Sequence, residues 1–168
     1  VVAGAAACHG MLACDLAALL SERDVLMGRN DAHLRTRLDA VRATPRTGRA
    51  DAAVNRGARD RARAAARQLR RLARVPDADH GGAVGPLIAL AWPDRVAQRR
   101  GAHGRYRLSG GGGAVIAEAD PLAAEDFLAV AETDGKAEAR IFLAAPIAQA
   151  EIESIFANRI ESVEAVEW

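Results

Sequence analysis

The chain has 168 residues, of which 50% are hydrophobic and only 4% aromatic, so its core must consist mainly of aliphatic side chains. The net charge of +1 conceals two halves of opposite sign: residues 1–80 hold 15 Arg against 9 acidic residues (+6), whereas residues 81–168 hold 8 basic against 13 acidic residues (−5). This asymmetry is compatible with an anionic partner such as nucleic acid. No run approaches the roughly 18 apolar residues of a membrane span, so no membrane partner is expected. Cys8 and Cys14 are poorly spaced for a local disulfide, so we expect a reducing, cytoplasmic location.

Helical spacing of apolar residues predicts a helical bundle over residues 1–80. A run of small residues at positions 3–7 leads into a buried helix that is expected to end near Leu20. Asn30-Asp31 offers N-cap chemistry for a second helix, and Thr44-Pro45 ends it.

Residues 44–55 contain proline, glycine and scattered polar side chains, and are expected to form a loop. A third helix follows between Arg56 and Arg74, with an apolar stripe of alanine and leucine and eight arginines on its remaining faces. We interpret these arginines as a solvated face that covers the alanine stripe. Pro76 and the polar run after it place a candidate domain boundary near residue 80.

Beyond this boundary the hydrophobic period changes from helical to alternating. A short apolar helix is expected at Pro86 to Ala91, and the segment from Pro146 to Ala157 is helical again. The β-compatible runs are Tyr106 to Leu108, Ala114 to Ala117, Phe127 to Ala131 and Ala139 to Ala145, with further alternation from Ile160 to Trp168. Asp134-Gly135 is a strong hairpin signal. The pattern predicts an α+β fold, in which a helical bundle precedes a small antiparallel barrel of the oligonucleotide-binding (OB) type with a flanking helix.

One cluster has the composition of a surface that binds single-stranded nucleic acid, since guanidinium groups hold phosphates and an aromatic ring stacks on a base. Its members are Arg95, Arg99, Arg100, Arg105, Tyr106 and Arg107. The structural alternative is that Arg95 pairs with Asp94 or another carboxylate and that Tyr106 belongs to the core.

No set of catalytic residues is visible, and no metal site is expected. Cys8-His9 and Cys14 do not have the spacing of a structural zinc site, and a fourth ligand is missing. The single Lys136 is followed by Ala137, so the chain has no phosphate loop of the Gly-x-x-x-x-Gly-Lys-Ser/Thr type. We therefore expect the chain to bind no cofactor and to hydrolyse no ATP by itself.

Two stretches resemble bacterial DEAH-box helicases of the HrpB type. Residues 12–24 (LACDLAALLSERD) are similar to the ratchet-like helical domain of that family, and residues 89–101 (ALAWPDRVAQRRG) resemble the start of its OB-fold domain. The second stretch is the more specific, because it continues through residues 104–109 (GRYRLS), 120–122 (DPL) and 139–146 in the order that the family shows.

The resemblance implies a truncated ratchet-like domain at residues 1–80, an OB-fold-like domain at 81–160, and the start of the HrpB C-terminal region at 161–168. It also implies RecA-like motor domains upstream, with ATP and magnesium, in a longer parent protein of which this chain is a fragment. The expected partners are single-stranded RNA or DNA and those motor domains. The alternative function is a protein-interaction module that docks on the motor domains or on another partner.

Overall fold

The computed structural model describes residues 10–28, 31–43, 53–75 and 83–160. The helices are α1 (Gly10–Leu20), α2 (Leu34–Arg42), α3 (Arg56–Leu72), α4 (Val84–Ala91) and α5 (Gln149–Ile155). The strands are β1 (Val96–Arg99), β2 (Arg105–Leu108), β3 (Gly113–Val115), β4 (Phe127–Thr133) and β5 (Glu138–Pro146), with short 3-10 turns at Pro93–Arg95 and Pro121–Ala124. The predicted fold class, a helical unit followed by a small barrel with a flanking helix, is confirmed. The small-residue run at 3–7, most of the expected loop at 44–55 and the alternating segment at 161–168 lie outside the described residues.

At the starts of α2 and α3, side chains accept hydrogen bonds from the free backbone N–H groups of the first turn. Asn55 caps α3, since its Oδ1 accepts from the N–H of Ala58 at 3.1 Å. His33 caps α2, since its Nδ1 accepts from the N–H of Arg35 at 3.2 Å. The prediction of an Asn30-Asp31 cap was therefore wrong by two residues: Asp31 instead accepts from the N–H of His33 and orients the capping residue.

The barrel has the strand order β1-β2-β3-β5-β4 and closes where β1 pairs with β4. Its interior is filled by aliphatic side chains from every strand, among them Ala97, Leu128, Val130 and Ile141. All neighbouring strands are antiparallel except β3 and β5, which run parallel, so the predicted all-antiparallel pairing holds for four of the five pairs. The predicted hairpin between β4 and β5 is confirmed, and Gly135 has the positive φ of 69° that such a turn favours.

The helical unit and the outer face of the barrel share one hydrophobic core, which includes Leu34 of α2, Ile88 of α4 and Ala129 of β4. Gly85 allows α4 to lie close to the barrel, because a Cβ at this position would be only 2.3 Å from the carbonyl oxygen of Pro146. The division into units at residue 80 remains a prediction. Within the part of the chain that the structure describes, no helix is long and apolar enough to cross a membrane.

Candidate nucleic-acid interface

The β1–β2 hairpin displays most of the arginines singled out in the sequence. Ala97 and Tyr106 are buried inside the barrel. Because neighbouring residues of a strand point to opposite faces, Gln98, Arg105 and Arg107 point outward, and all three are exposed. The sequence cluster is thereby divided between the inside and the outside of the barrel.

Arg95 and Arg99 are engaged by the protein itself. The guanidinium of Arg95 lies 5.6 Å from the centre of the Trp92 ring, and its Nη1 donates to the carbonyl oxygen of Ala131 at 3.1 Å. Nη2 of Arg99 donates to Oδ1 of Asp126 at 2.5 Å, and this hydrogen bond raises the pKa of Arg99. Both arginines are thus bound within the protein, but the alternative named a carboxylate as the partner of Arg95, and the described partners are an aromatic ring and a backbone carbonyl.

Tyr106 belongs to the core, and its expected role in stacking on a base was wrong. The residue is only 3% exposed, and its hydroxyl donates to the carbonyl oxygens of Leu122 at 2.7 Å and Glu125 at 3.0 Å. Burial raises the pKa of Tyr106 to about 12. A ring enclosed in this way has no free face for a ligand.

Arg100, Arg105 and Arg107 are the members of the cluster that remain available. All three are exposed, and within the described ranges none has a side-chain hydrogen bond, an ion pair or an aromatic partner. The backbone N–H of Arg100 donates to the carbonyl of Arg105 at 2.8 Å, which keeps the two residues adjacent beyond the end of the β1–β2 ladder. Their guanidinium groups are therefore free to contact phosphates.

The barrel extends this surface to two residues that the sequence analysis did not select. Arg105 pairs with Val115, and Val115 pairs with Arg140, so the three residues form one outward row across β2, β3 and β5. Phe142 lies two residues further along β5 on the same face and is 42% exposed, with the Arg140 guanidinium 5.8 Å from its ring centre. The alternation of β5 was a usable signal, since Ala139 and Ile141 point inward and their neighbours Arg140 and Phe142 therefore point outward.

A cavity of about 490 Å³ opens beside this row, between the barrel and the helical unit. Arg140 and Phe142 line it from the barrel side. Leu20, Arg23, Asp24 and Arg37 line it from the helical side. This volume lies within the range of small-ligand pockets. Of the residues that the structure describes, three arginines and four carboxylates line the cavity together with the Phe142 ring.

Comparisons with known proteins agree with this architecture. No protein-family model matches the chain. The ATP-dependent RNA helicase HrpB of Escherichia coli strain K12 is 33% identical over 88 residues, which are 51% of this chain and 11% of that protein. The crystal structure of the E. coli DExH-box NTPase HrpB matches with a TM-score of 0.64 at 24% identity, covering 86% of this chain and 16% of the other. A crystal structure of the E. coli DEAH/RHA helicase HrpB matches with a TM-score of 0.58 at 23% identity, covering 81% and 15%.

The helical unit joined to a closed five-stranded barrel is matched in fold by a helicase, and about half of the chain is similar in sequence to that helicase. The resemblance found in the sequence is confirmed, because a curated relative and two solved structures of bacterial HrpB match the chain, with an α+β fold like that of the HrpB C-terminal domains. At these identities the structural matches establish the fold, whereas the sequence match supports the homology. The chain spans 11% of the length of its curated relative.

Proposed function

We propose that the chain is a nucleic-acid-binding segment of an ATP-dependent DEAH-box helicase, which guides single-stranded RNA or DNA past the RecA-like motor. The observation that supports this function is the outward row of Arg105, Val115 and Arg140 with the exposed ring of Phe142 beside it. Cations that follow a backbone, combined with an aromatic ring on which bases stack, are typical of surfaces that bind single strands. The relative is named an RNA helicase, so RNA is the first ligand to test.

In this proposal, the barrel is an OB fold whose outer surface holds the strand by its phosphates. Arg100, Arg105, Arg107 and Arg140 each contact one phosphate, and Phe142 takes the stacking role first expected of Tyr106. Val115 separates the two cations of the row, and neighbouring strands lie about 4.8 Å apart, so Arg105 and Arg140 are roughly 10 Å apart at their Cα atoms. The two cations therefore contact different phosphates, and the surface follows the strand along its length.

ATP hydrolysis would take place in other domains of the same protein. RecA-like motor domains would bind ATP and magnesium and would be the protein partners of this segment in the cytoplasm. The chain alone is expected to show no nucleotide turnover, because it has neither a phosphate loop nor an Asp-Glu-x-His sequence. An ATPase activity that follows the purified chain through gel filtration would contradict this assignment.

The decisive experiment measures the affinity of the full chain for a fluorescent ten-nucleotide uridine strand as a function of salt concentration. Four phosphate contacts predict a loss of roughly fifty-fold between about 50 and 200 mM salt, because each contact contributes about −0.7 to the logarithmic slope. The double variant Arg105→Ala/Arg140→Ala should flatten the slope by about 1.4. The variant Phe142→Ala should cost about 1–3 kcal/mol of binding free energy and leave the slope almost unchanged.

Two controls separate this interface from general effects. Arg159→Ala removes an exposed arginine that also lies over a ring, that of Phe156 at 5.7 Å, but outside the row. Tyr106→Phe removes only a buried hydroxyl. Both variants should bind the strand like the parent chain. If the double arginine variant retains both affinity and slope, the row is not the interface, and docking on a protein partner becomes the better function.

A further inference from the structure

A second basic site lies in the helical unit, away from the outward row of the barrel. Four arginines of α2 and α3 line a cavity of about 340 Å³: Arg42, Arg63, Arg67 and Arg70. Among the described residues around this cavity, the sole carboxylate is that of Asp15. Arg63, Arg67 and Arg70 follow one another at spacings of four and three residues, which places them on one face of α3.

Three of the arginines are held in place by the protein. Asp15 is buried, with a side chain only 3% exposed, and its Oδ2 accepts from Nε of Arg42 at 2.9 Å while Oδ1 accepts from Nη2 of Arg70. Nε of Arg63 donates to the carbonyl oxygen of Val41 at 2.6 Å, at the end of α2. The guanidinium groups are therefore oriented before any ligand arrives, and the ordering entropy of binding is small.

The same geometry leaves donors and positive charge available. Arg67 is exposed and has no hydrogen-bonding or ion-pair partner within the described ranges. Nε of Arg70 lacks an acceptor among the described atoms but has almost no accessible surface, and Nη2 is bound by Asp15, so Nη1 is the donor group that Arg70 can offer to a ligand. Guanidinium groups that share a cavity repel one another, and a polyvalent anion relieves this repulsion while it accepts paired hydrogen bonds.

We propose that this cavity binds a phosphate group, with Arg67 and Arg70 as its main donors and Asp15 as the positioning residue. A planar guanidinium can donate two parallel hydrogen bonds to a phosphate, which favours arginine over lysine at such a site. The carboxylate of Asp15 holds two of these arginines in position. The phosphate belongs either to a nucleic-acid backbone or to a free phosphate ion. The site is independent of the barrel surface, so it does not rest on the proposed path of the strand.

The test compares Arg67→Ala with Arg71→Ala in the full chain. Arg71 is the matched control, since it is an exposed α3 arginine outside the cavity. The thermal unfolding midpoint is measured against inorganic phosphate, with sodium chloride at equal ionic strength as reference, because a ligand that binds the folded state raises the midpoint. Phosphate should stabilise the parent chain and Arg71→Ala alike. In Arg67→Ala the apparent affinity should fall about tenfold, as expected for the loss of a charge-assisted pair.

A second arm uses the fluorescent uridine strand and distinguishes the two sources of phosphate. If Arg67→Ala weakens strand binding and the response to inorganic phosphate by similar factors, the site serves the nucleic-acid backbone. If only the response to phosphate falls, the site serves a free anion. The barrel variant Arg105→Ala/Arg140→Ala should keep the phosphate response, so a failure of the proposed strand path leaves this site testable. Equal responses of parent and Arg67→Ala to both ligands would overturn the proposal.

Discussion

Asp120 in the barrel accepts a hydrogen bond from the backbone N–H of Ala32 through Oδ2 at 2.8 Å, although 88 residues separate them along the chain. Its other oxygen, Oδ1, accepts from the N–H of Leu122 at 2.9 Å, and the residue is only 8% exposed. The carbonyl of Ala32 in turn accepts from the N–H of Ala144 at 2.8 Å. One buried carboxylate and one strand therefore hold the segment before α2 against the barrel.

Replacing Asp120 with Ala should lower the free energy of unfolding by about 2–4 kcal/mol. Two buried backbone N–H groups lose a charged acceptor, and each such loss costs about 1.5–3 kcal/mol before relaxation. Urea unfolding monitored by circular dichroism measures the change. Asp126→Ala is the control, because that carboxylate is 75% exposed and its pair with Arg99 is worth roughly 0–1 kcal/mol. Equal losses in the two variants would show that the contact with Ala32 does not stabilise the fold.

Arg37 is a buried arginine on α2 whose replacement should be among the most damaging single changes in the helical unit. Its side chain is 4% exposed and pairs with Asp24 at 2.9 Å and Asp31 at 3.1 Å. Arg37→Ala removes the buried cation that two carboxylates share at the junction with the barrel, so we expect a loss of about 3–5 kcal/mol. Arg35→Ala is the control on another face of the same helix. It breaks an exposed pair with Asp39 and should cost less than about 1 kcal/mol. If the two variants have the same urea denaturation midpoint, the prediction that Arg37 stabilises the fold more than Arg35 is contradicted.

Tyr106 offers an optical test of the barrel interior, because it is the only tyrosine of the chain. Burial raises its pKa to about 12, whereas an unfolded tyrosine titrates near about 10. The folded state holds the proton more tightly, so the stability that this residue contributes is complete below about pH 10 and is lost as the pH rises through about 12. Absorbance at the tyrosinate band, with circular dichroism recorded in parallel, follows both events. Ionisation near pH 10 in a chain that remains folded would show that the ring is exposed.

The sequence predicts the helices better than it predicts the barrel. Apolar stripes are local features, so α2 and α3 could be anticipated within a few residues, although the cap of α2 was misplaced. Strand β1 was missed, since Val96 to Arg99 lacks a β-branched run and becomes a strand only by pairing with both β2 and β4. Pairing between distant segments is information that a local pattern does not contain.

The same limit applies to the candidate site. Proximity in sequence grouped Tyr106 with the arginines around it, but strand alternation in β2 places its ring inside the barrel and the side chains of Arg105 and Arg107 outside. Phe142 was absent from the group because 36 positions of chain separate it from Tyr106, and only the β3–β5 pairing places it on the same face as Arg105 and Val115. Basic composition indicated the region of the proposed interface, whereas the choice of its aromatic residue required the register.

Closure of the barrel also determines how the barrel can recognise a partner. Because β1 pairs with β4 as well as with β2, each described strand has a neighbour on both sides over at least part of its length. An extended peptide therefore finds no strand edge that is free from end to end, which disfavours strand addition as a mode of recognition and protects these short strands from edge-to-edge aggregation. Side chains then carry most of the recognition of a partner, and evolution can change that choice by exchanging outward residues without touching the hydrogen bonds that keep the barrel closed.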